Sequence, residues 1–82
     1  MTIKIRLTDT PIQITNGAQS AFIQLQSSHG ANYFNWAVSD TLPANTAICH
    51  ASKELSINPP FKVWAWANSN DQIDIIVSAV TA

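Results

Sequence analysis

Short stretches of alternating apolar and polar residues run along most of this chain. The first covers residues 2–8, where Ile3, Ile5 and Leu7 fall on one parity and polar residues on the other. Successive side chains of a β-strand point to opposite faces of its sheet. The pattern therefore predicts a strand with one buried face and one exposed face.

The same pattern predicts seven further segments, over residues 12–15, 20–26, 32–39, 46–52, 53–57, 61–67 and 73–80. Residues with turn preferences separate them, and Asn16-Gly17 predicts a hairpin between the second and third strands. A loop is expected over residues 27–30. A single helical turn somewhere within residues 50–55 is the alternative to the short strand over residues 53–57. About seven or eight short strands with turns between them indicate one all-β domain over residues 1–82, a small antiparallel β-sandwich or jelly-roll-like barrel.

The segment 61–67 differs from the others because both of its faces are apolar. Its odd-numbered positions are all apolar, and its other face carries Lys62, Trp64 and Trp66. A second sheet can cover only one face of a strand, and 82 residues leave little material for a third layer. We therefore expect a sister subunit or a ligand on the tryptophan face.

Composition points the same way. Charged residues make up 11% of the chain, against roughly 25% in ordinary domains. A domain of this size buries only about 60–65% of its unfolded surface, so oligomerisation would stabilise it. Low charge in a chain that is mostly surface suggests that much of the surface is covered by another molecule.

Charge and hydropathy argue against two classes of partner. The net charge is −1, and the four cations Lys4, Arg6, Lys53 and Lys62 are scattered, whereas nucleic-acid binding needs a basic patch. No apolar run approaches the roughly 20 residues of a membrane helix, and the first residues lack the apolar core of a signal peptide. The expected location is a cytoplasm, or a particle assembled there.

The sequence shows no catalytic motif. Cys49 and His50 are adjacent, so on a strand they point to opposite faces and do not hold one metal ion. Cys49 shares its parity with two alanines, which predicts a small buried thiol. No enzyme activity, cofactor or metal is expected, and His29 is interpreted as structural.

The aromatic residues leave two interpretations open. Trp64 and Trp66, with Tyr33 nearby, could form a platform on which a sugar or a base stacks. The favoured interpretation makes them core or subunit-interface residues, since aromatic side chains are enriched in both places. Trp36 lies between Phe34 and Val38 on one parity and is predicted to belong to the core.

A family resemblance is carried by residues 33–39, Leu42-Pro43-Ala44, His50, residues 63–67 and residues 73–77. These segments, within residues 20–80, resemble small β-rich proteins encoded among the structural genes of tailed bacteriophages and prophages. Trp66 departs from the pattern, which has a polar or basic residue at that position.

The resemblance implies a virion structural protein, made in the bacterial host and located at the particle surface. Within that class we expect a capsid decoration or cement protein that oligomerises, with a trimer favoured, and binds the major capsid protein. A tail, head-fibre or baseplate-associated module is one alternative. A carbohydrate-binding sandwich that uses Trp64 and Trp66 is another. The predicted interface residues are Phe61, Trp64, Trp66, Ile3, Ile5 and Leu7.

Overall fold

The computed structural model of the chain describes residues 1–81 and contains eight β-strands in that range. Each strand coincides with a stretch of alternating or apolar sequence between turn residues. The strands are β1 (Thr2–Leu7), β2 (Ile12–Gln13), β3 (Gln19–His29), β4 (Phe34–Val38), β5 (His50–Ser52), β6 (Glu54–Ile57), β7 (Val63–Trp66) and β8 (Gln72–Thr81).

The strands form two four-stranded antiparallel sheets. Sheet A has the order β1-β8-β3-β6, and sheet B has the order β2-β7-β4-β5. Only β4 and β5 follow one another within the same sheet, so the chain passes from one sheet to the other at the remaining six connections between these strands. This winding is that of an eight-stranded jelly roll, and the predicted all-β sandwich is confirmed.

The core lies between the two sheets. In β8 the residues Ile73, Ile75 and Val77 are buried, as their common parity predicts. They pack in one cluster with Leu7 of β1 and Phe34 of β4. The inward parity of the last strand is therefore confirmed.

Asn16-Gly17 forms a turn, but the hairpin predicted there is wrong. Gly17 has a φ of +92°, which a residue without Cβ adopts readily. The turn joins β2 in sheet B to β3 in sheet A, and these two strands do not pair. Turn chemistry reverses the chain locally, whereas pairing depends on which strands the two sheets bring together.

The third strand is longer than predicted, and the loop over residues 27–30 is wrong for its first three residues. β3 continues to His29 because a bulge between Leu25 and Ser27 shifts the register and allows pairing with β8 to resume. The segment 46–52 is strand only from His50 onwards. Cys49 precedes that strand and is exposed, so the predicted buried thiol is also wrong.

Candidate functional site

The two tryptophans of β7 are placed differently from each other. Trp66 is only 2% exposed and lies opposite Asn35 of β4, on the other face of β7 from Ala65. Trp64 is half-buried, and its indole Nε1 donates to the carbonyl oxygen of Ser39 at 2.9 Å. The chain itself therefore covers the indole of Trp66, and the two rings do not form an open stacking surface.

Polar side chains bridge the strand ends next to Trp66. Asn35 donates through Nδ2 to Oδ1 of Asn68 at 2.9 Å, and Asn68 donates through Nδ2 to the hydroxyl of Tyr33 at 3.0 Å. Asn35 is buried, so this pairing satisfies an amide that would otherwise lose water without compensation. Tyr33 is thus held by the end of β7 and does not extend the tryptophan face as a free ring.

Phe61 lies in the turn between β6 and β7 and is 50% exposed. Its carbonyl oxygen accepts from the hydroxyl of Thr15 at 2.9 Å. The same Thr15 oxygen accepts from the amide of Val63 at 3.1 Å. The backbone beside Phe61 is therefore fixed by a buried hydroxyl, while the phenyl ring remains open to solvent.

The N-terminal strand β1 is an edge strand of sheet A, paired only with β8. Its inward side chains change from exposed to buried along the strand. Ile3 is 43% exposed, Ile5 is half-buried and Leu7 is fully buried. Ile3 and Ile5 line an apolar crevice of about 210 Å³ that also touches Ile14 and Val77, which is smaller than the roughly 300–1,000 Å³ of small-molecule pockets.

The backbone groups at the free edge of β1 can be identified from its hydrogen bonds. The amine of Met1 donates to the carbonyl of Ala79, and the amide of Ala79 donates to the carbonyl of Met1. Such double bonds recur at every second residue of an antiparallel pair. The odd-numbered residues therefore bond β8, and Thr2, Lys4 and Arg6 direct their N–H and C=O groups to the open edge.

A charged cluster occupies the outer face of sheet A where β1, β8 and β3 meet. Arg6 donates to both carboxylate oxygens of Asp74, at 2.9 and 3.3 Å. Ser27 donates to the same carboxylate at 3.2 Å, and Nζ of Lys4 lies 3.7 Å from it. The hydrogen bond from Arg6 is the largest cause that holds the pKa of Asp74 below its ordinary value, and burial opposes it.

The other end of this outer face carries no charge. Phe22 of β3 stands between Ser56 of β6 and Ser78 of β8 in the sheet register and is 41% exposed. With Ser20 and Val80 these residues line an open depression of about 310 Å³, which we call the Phe22 groove. An exposed aromatic among neutral hydroxyls is suited to contact with a neutral surface.

Residues 1–81 contain no group of three or more His, Cys, Asp or Glu side chains placed to hold a metal ion. No helix in this range is long and apolar enough to cross a membrane. His50 stacks against Trp36 with ring centroids 4.5 Å apart, and Trp36 donates to the hydroxyl of Ser52 at 3.1 Å. The imidazole thus packs on an aromatic ring at the β5 edge.

Comparison of the chain with protein-family models, with curated proteins and with solved structures found no match.

The predicted interface residues fall into two groups that the fold keeps apart. Ile3, Ile5 and Leu7 lie along the β1 edge of sheet A, while Trp64 and Trp66 lie in an inner strand of sheet B. Leu7 and Trp66 are buried in the single chain, so neither side chain presents surface to another molecule in this fold. Ile3 and Phe61 keep exposed apolar surface, and their role in an interface stays a prediction.

The sequence reasoning did not single out Phe22 or Asp74 as surface features. In the alternation of residues 20–26, Phe22 shares its parity with Gln24 and Gln26, which predicts the polar face of the strand, and its exposure agrees with this. The alternation does not show which residues surround Phe22, because Ser56 and Ser78 come from strands far along the chain. A large aromatic at a polar position was the available signal.

Proposed function

We propose that this chain is a non-enzymatic structural protein of a bacteriophage particle, of the capsid decoration or cement type. It forms a small oligomer, with a trimer favoured, at the particle surface and binds the assembled head shell through sheet A. A protein that binds only the assembled shell stabilises that state by mass action. The mechanism is therefore mechanical, by bridging neighbouring shell subunits.

The observation that carries the proposal is the Phe22 groove. An exposed sheet face in a lone small domain normally carries charge, which also discourages aggregation. Here Phe22 and Val80 are 41% and 62% exposed on a face whose neighbouring positions are serines. Contact surfaces between proteins are depleted in charge at their centre and enriched in aromatic residues.

The fold agrees with this proposal at the level of analogy. Double-sheet jelly rolls occur in viral capsid and lectin domains, although a fold alone does not determine function. The lectin-like alternative was tied to Trp64 and Trp66, and the burial of Trp66 removes half of that platform. A tail, head-fibre or baseplate-associated position uses the same kind of surface and differs only in the partner.

The proposal is tested with bacteriophage particles that lack this protein, purified from host cells in which the gene that encodes it has been deleted. Purified protein is added, and the occupancy of the head fraction is measured after gradient sedimentation. We expect the unaltered chain to bind heads and to raise the temperature at which they release DNA. Binding to tails alone would support the alternative position, and absence from every particle fraction would overturn the proposal.

Substitutions in the groove identify the binding surface. Phe22→Ser combined with Val80→Ser should reduce head occupancy by about tenfold or more, since central aromatic contacts each contribute about 1.4 kcal/mol or more. Leu42→Ser is the matched control, because Leu42 is an exposed apolar residue in the loop after β4, 57% open to solvent. Equal occupancy of the double variant and the control would show that another surface binds the shell.

A further inference from the structure

The two open edges of sheet A are complementary to each other. β1 and β6 are its outer strands, with six and four residues. The edges of sheet B are shorter, with two residues in β2 and three in β5. We propose that β1 of one copy pairs antiparallel with β6 of the next copy, head to tail, so that sheet A continues from chain to chain.

The free hydrogen-bonding groups of β6 follow from its pairing with β3. The amide of Leu25 donates to the carbonyl of Lys53 at 2.8 Å, in line with the register that sets Ile23 opposite Leu55. Odd-numbered residues of β6 therefore bond β3, because such bonds alternate along an antiparallel pair. Glu54 and Ser56 direct their backbone groups to the open edge, as Lys4 and Arg6 do on β1.

Both faces of the two edges match in residue type. Their outward side chains are Lys4 and Arg6 on β1, and Glu54 and Ser56 on β6. A register that keeps all of β6 beside β1 sets Arg6 opposite Glu54 and Lys4 opposite Ser56. On the inner face the same register sets Ile5 opposite Leu55, both half-buried in the single chain. Cross-strand pairs of opposite charge, or of two apolar residues, each contribute about 0.2–1 kcal/mol.

A two-fold arrangement of β1 edges is disfavoured by charge. Antiparallel pairing of β1 with the same strand of a second copy sets Lys4 opposite Lys4 or opposite Arg6, depending on register. Like charges directly opposite each other destabilise a strand pair, and lysine on an edge strand commonly prevents such pairing. Pairing with a different edge that carries a carboxylate relieves this repulsion. The β6 edge of sheet A carries such a group in Glu54.

Pairing of two different surfaces has a consequence for assembly. Such heterologous contacts close into a ring when the rotation between copies permits it, which agrees with a trimer and not with a two-fold dimer. The Phe22 groove opens on the outer face of the sheet, and Ser56 of the edge strand β6 forms one of its sides. In the ring this side borders Lys4 of the next copy, while Phe22 and Val80 keep their outward surface. The inference rests on the oligomer named in the proposed function and adds the surface that builds it.

Two proline variants test the pairing in solution, without any particle. Lys4→Pro and Ser56→Pro each remove an N–H that points to an open edge, where proline is tolerated within a strand. Each variant alone should be a monomer of 8.9 kDa by light scattering, while the unaltered chain is a multiple of that mass. A mixture of the two variants should form a one-to-one dimer, because each retains the edge that the other lacks.

Charge reversal provides the second measurement. Glu54→Lys replaces an attraction to Arg6 by a repulsion and should weaken association by about fivefold to thirtyfold. Asp40→Lys is the matched control, since Asp40 is exposed and pairs with Lys62 away from sheet A. Circular dichroism in the tryptophan region confirms that each variant is folded.

The outcomes separate this inference from the proposed function. An unaltered chain that stays monomeric over a hundredfold dilution, or an oligomer that both proline variants still form, would overturn the edge pairing. So would a mixture of the variants that remains monomeric. Binding to heads is measured independently and can succeed in any of these cases.

Discussion

Arg6 of β1 and Asp74 of β8 lie directly opposite each other on neighbouring strands of sheet A. The guanidinium Nε of Arg6 donates to Oδ1 of the Asp74 carboxylate at 2.9 Å. They are 68 positions apart in the chain. The pair ties the edge strand to the centre of the sheet through side chains as well as through backbone. Lys4, the other cation of β1, lies farther from this carboxylate, with its Nζ 3.7 Å from Oδ2 of Asp74.

Asp74→Asn should make the free energy of unfolding less dependent on pH in the acidic range. The bond from Arg6, helped by Ser27 and by the charges of Arg6 and Lys4, keeps the pKa of Asp74 below its ordinary value of 3.8. A lowered pKa means that the stabilisation is fully present above the ordinary value and is lost as the pH falls through the lowered one. The variant should thus be less stable than the unaltered chain at about pH 7, and the difference should shrink below about pH 4.

Urea unfolding followed by tryptophan fluorescence at a series of pH values measures this effect. Asp40→Asn is the control, because the side chain of Asp40 is almost fully exposed and its surface pair with Lys62 contributes little. If the difference between Asp74→Asn and the unaltered chain stayed constant down to about pH 2, the ion pair would not be its source.

Trp66→Ala should damage the fold and not only an interface. Trp66 is 2% exposed, and truncation of a buried tryptophan costs about 3–5 kcal/mol of unfolding free energy. A domain of this length has about 4–12 kcal/mol in total, so the variant should be partly unfolded or melt at a much lower temperature. Thermal unfolding by circular dichroism measures the change.

Phe61→Ala is the comparison for this variant, because the ring is half exposed and its loss should cost about 1 kcal/mol or less. A Trp66→Ala chain that is as stable as the unaltered one but fails to associate would support the interface role that the sequence predicted for this residue.

Thr15→Val tests the buried hydroxyl between two backbone groups. The hydroxyl donates to the carbonyl of Phe61, and its oxygen accepts from the amide of Val63. Valine keeps the shape but leaves both groups without that bond, at a cost of about 1–3 kcal/mol. The shift of the urea midpoint gives the value.

Thr15→Ser keeps the hydroxyl and loses only a methyl group, so about 1 kcal/mol or less is expected. A valine variant that is more stable than the serine variant would show that packing of the methyl group, and not hydrogen bonding, holds this turn.

The sequence predicts most of the strands because their alternation is local. The inward parity of Ile73, Ile75 and Val77 needs no knowledge of neighbours, and it is confirmed. The sequence does not predict which sheet each strand joins. Asn16-Gly17 looks the same whether it closes a hairpin or connects a strand of one sheet to a strand of the other. Here the second case holds, and the turn residues contain no information that distinguishes them.

The candidate surface was harder to predict than the fold for the same reason. Trp66 looked like an anchor because its strand is apolar on both faces, yet the folded chain buries it. Asp74 and Arg6 each occupy an unremarkable outward position, and only the register of β1 against β8 brings them together. Features that depend on pairing between distant segments are not visible in a local pattern.

The position of β8 inside sheet A determines the order in which the protein can acquire its structure. β8 lies between β1 and β3 and pairs with both, although it is the last strand along the described chain. During synthesis β1 therefore has no partner in sheet A until the residues of β8, from position 72 onwards, have left the ribosome. Non-local pairing of this kind slows folding, so sheet A is completed only after β8 has been synthesised.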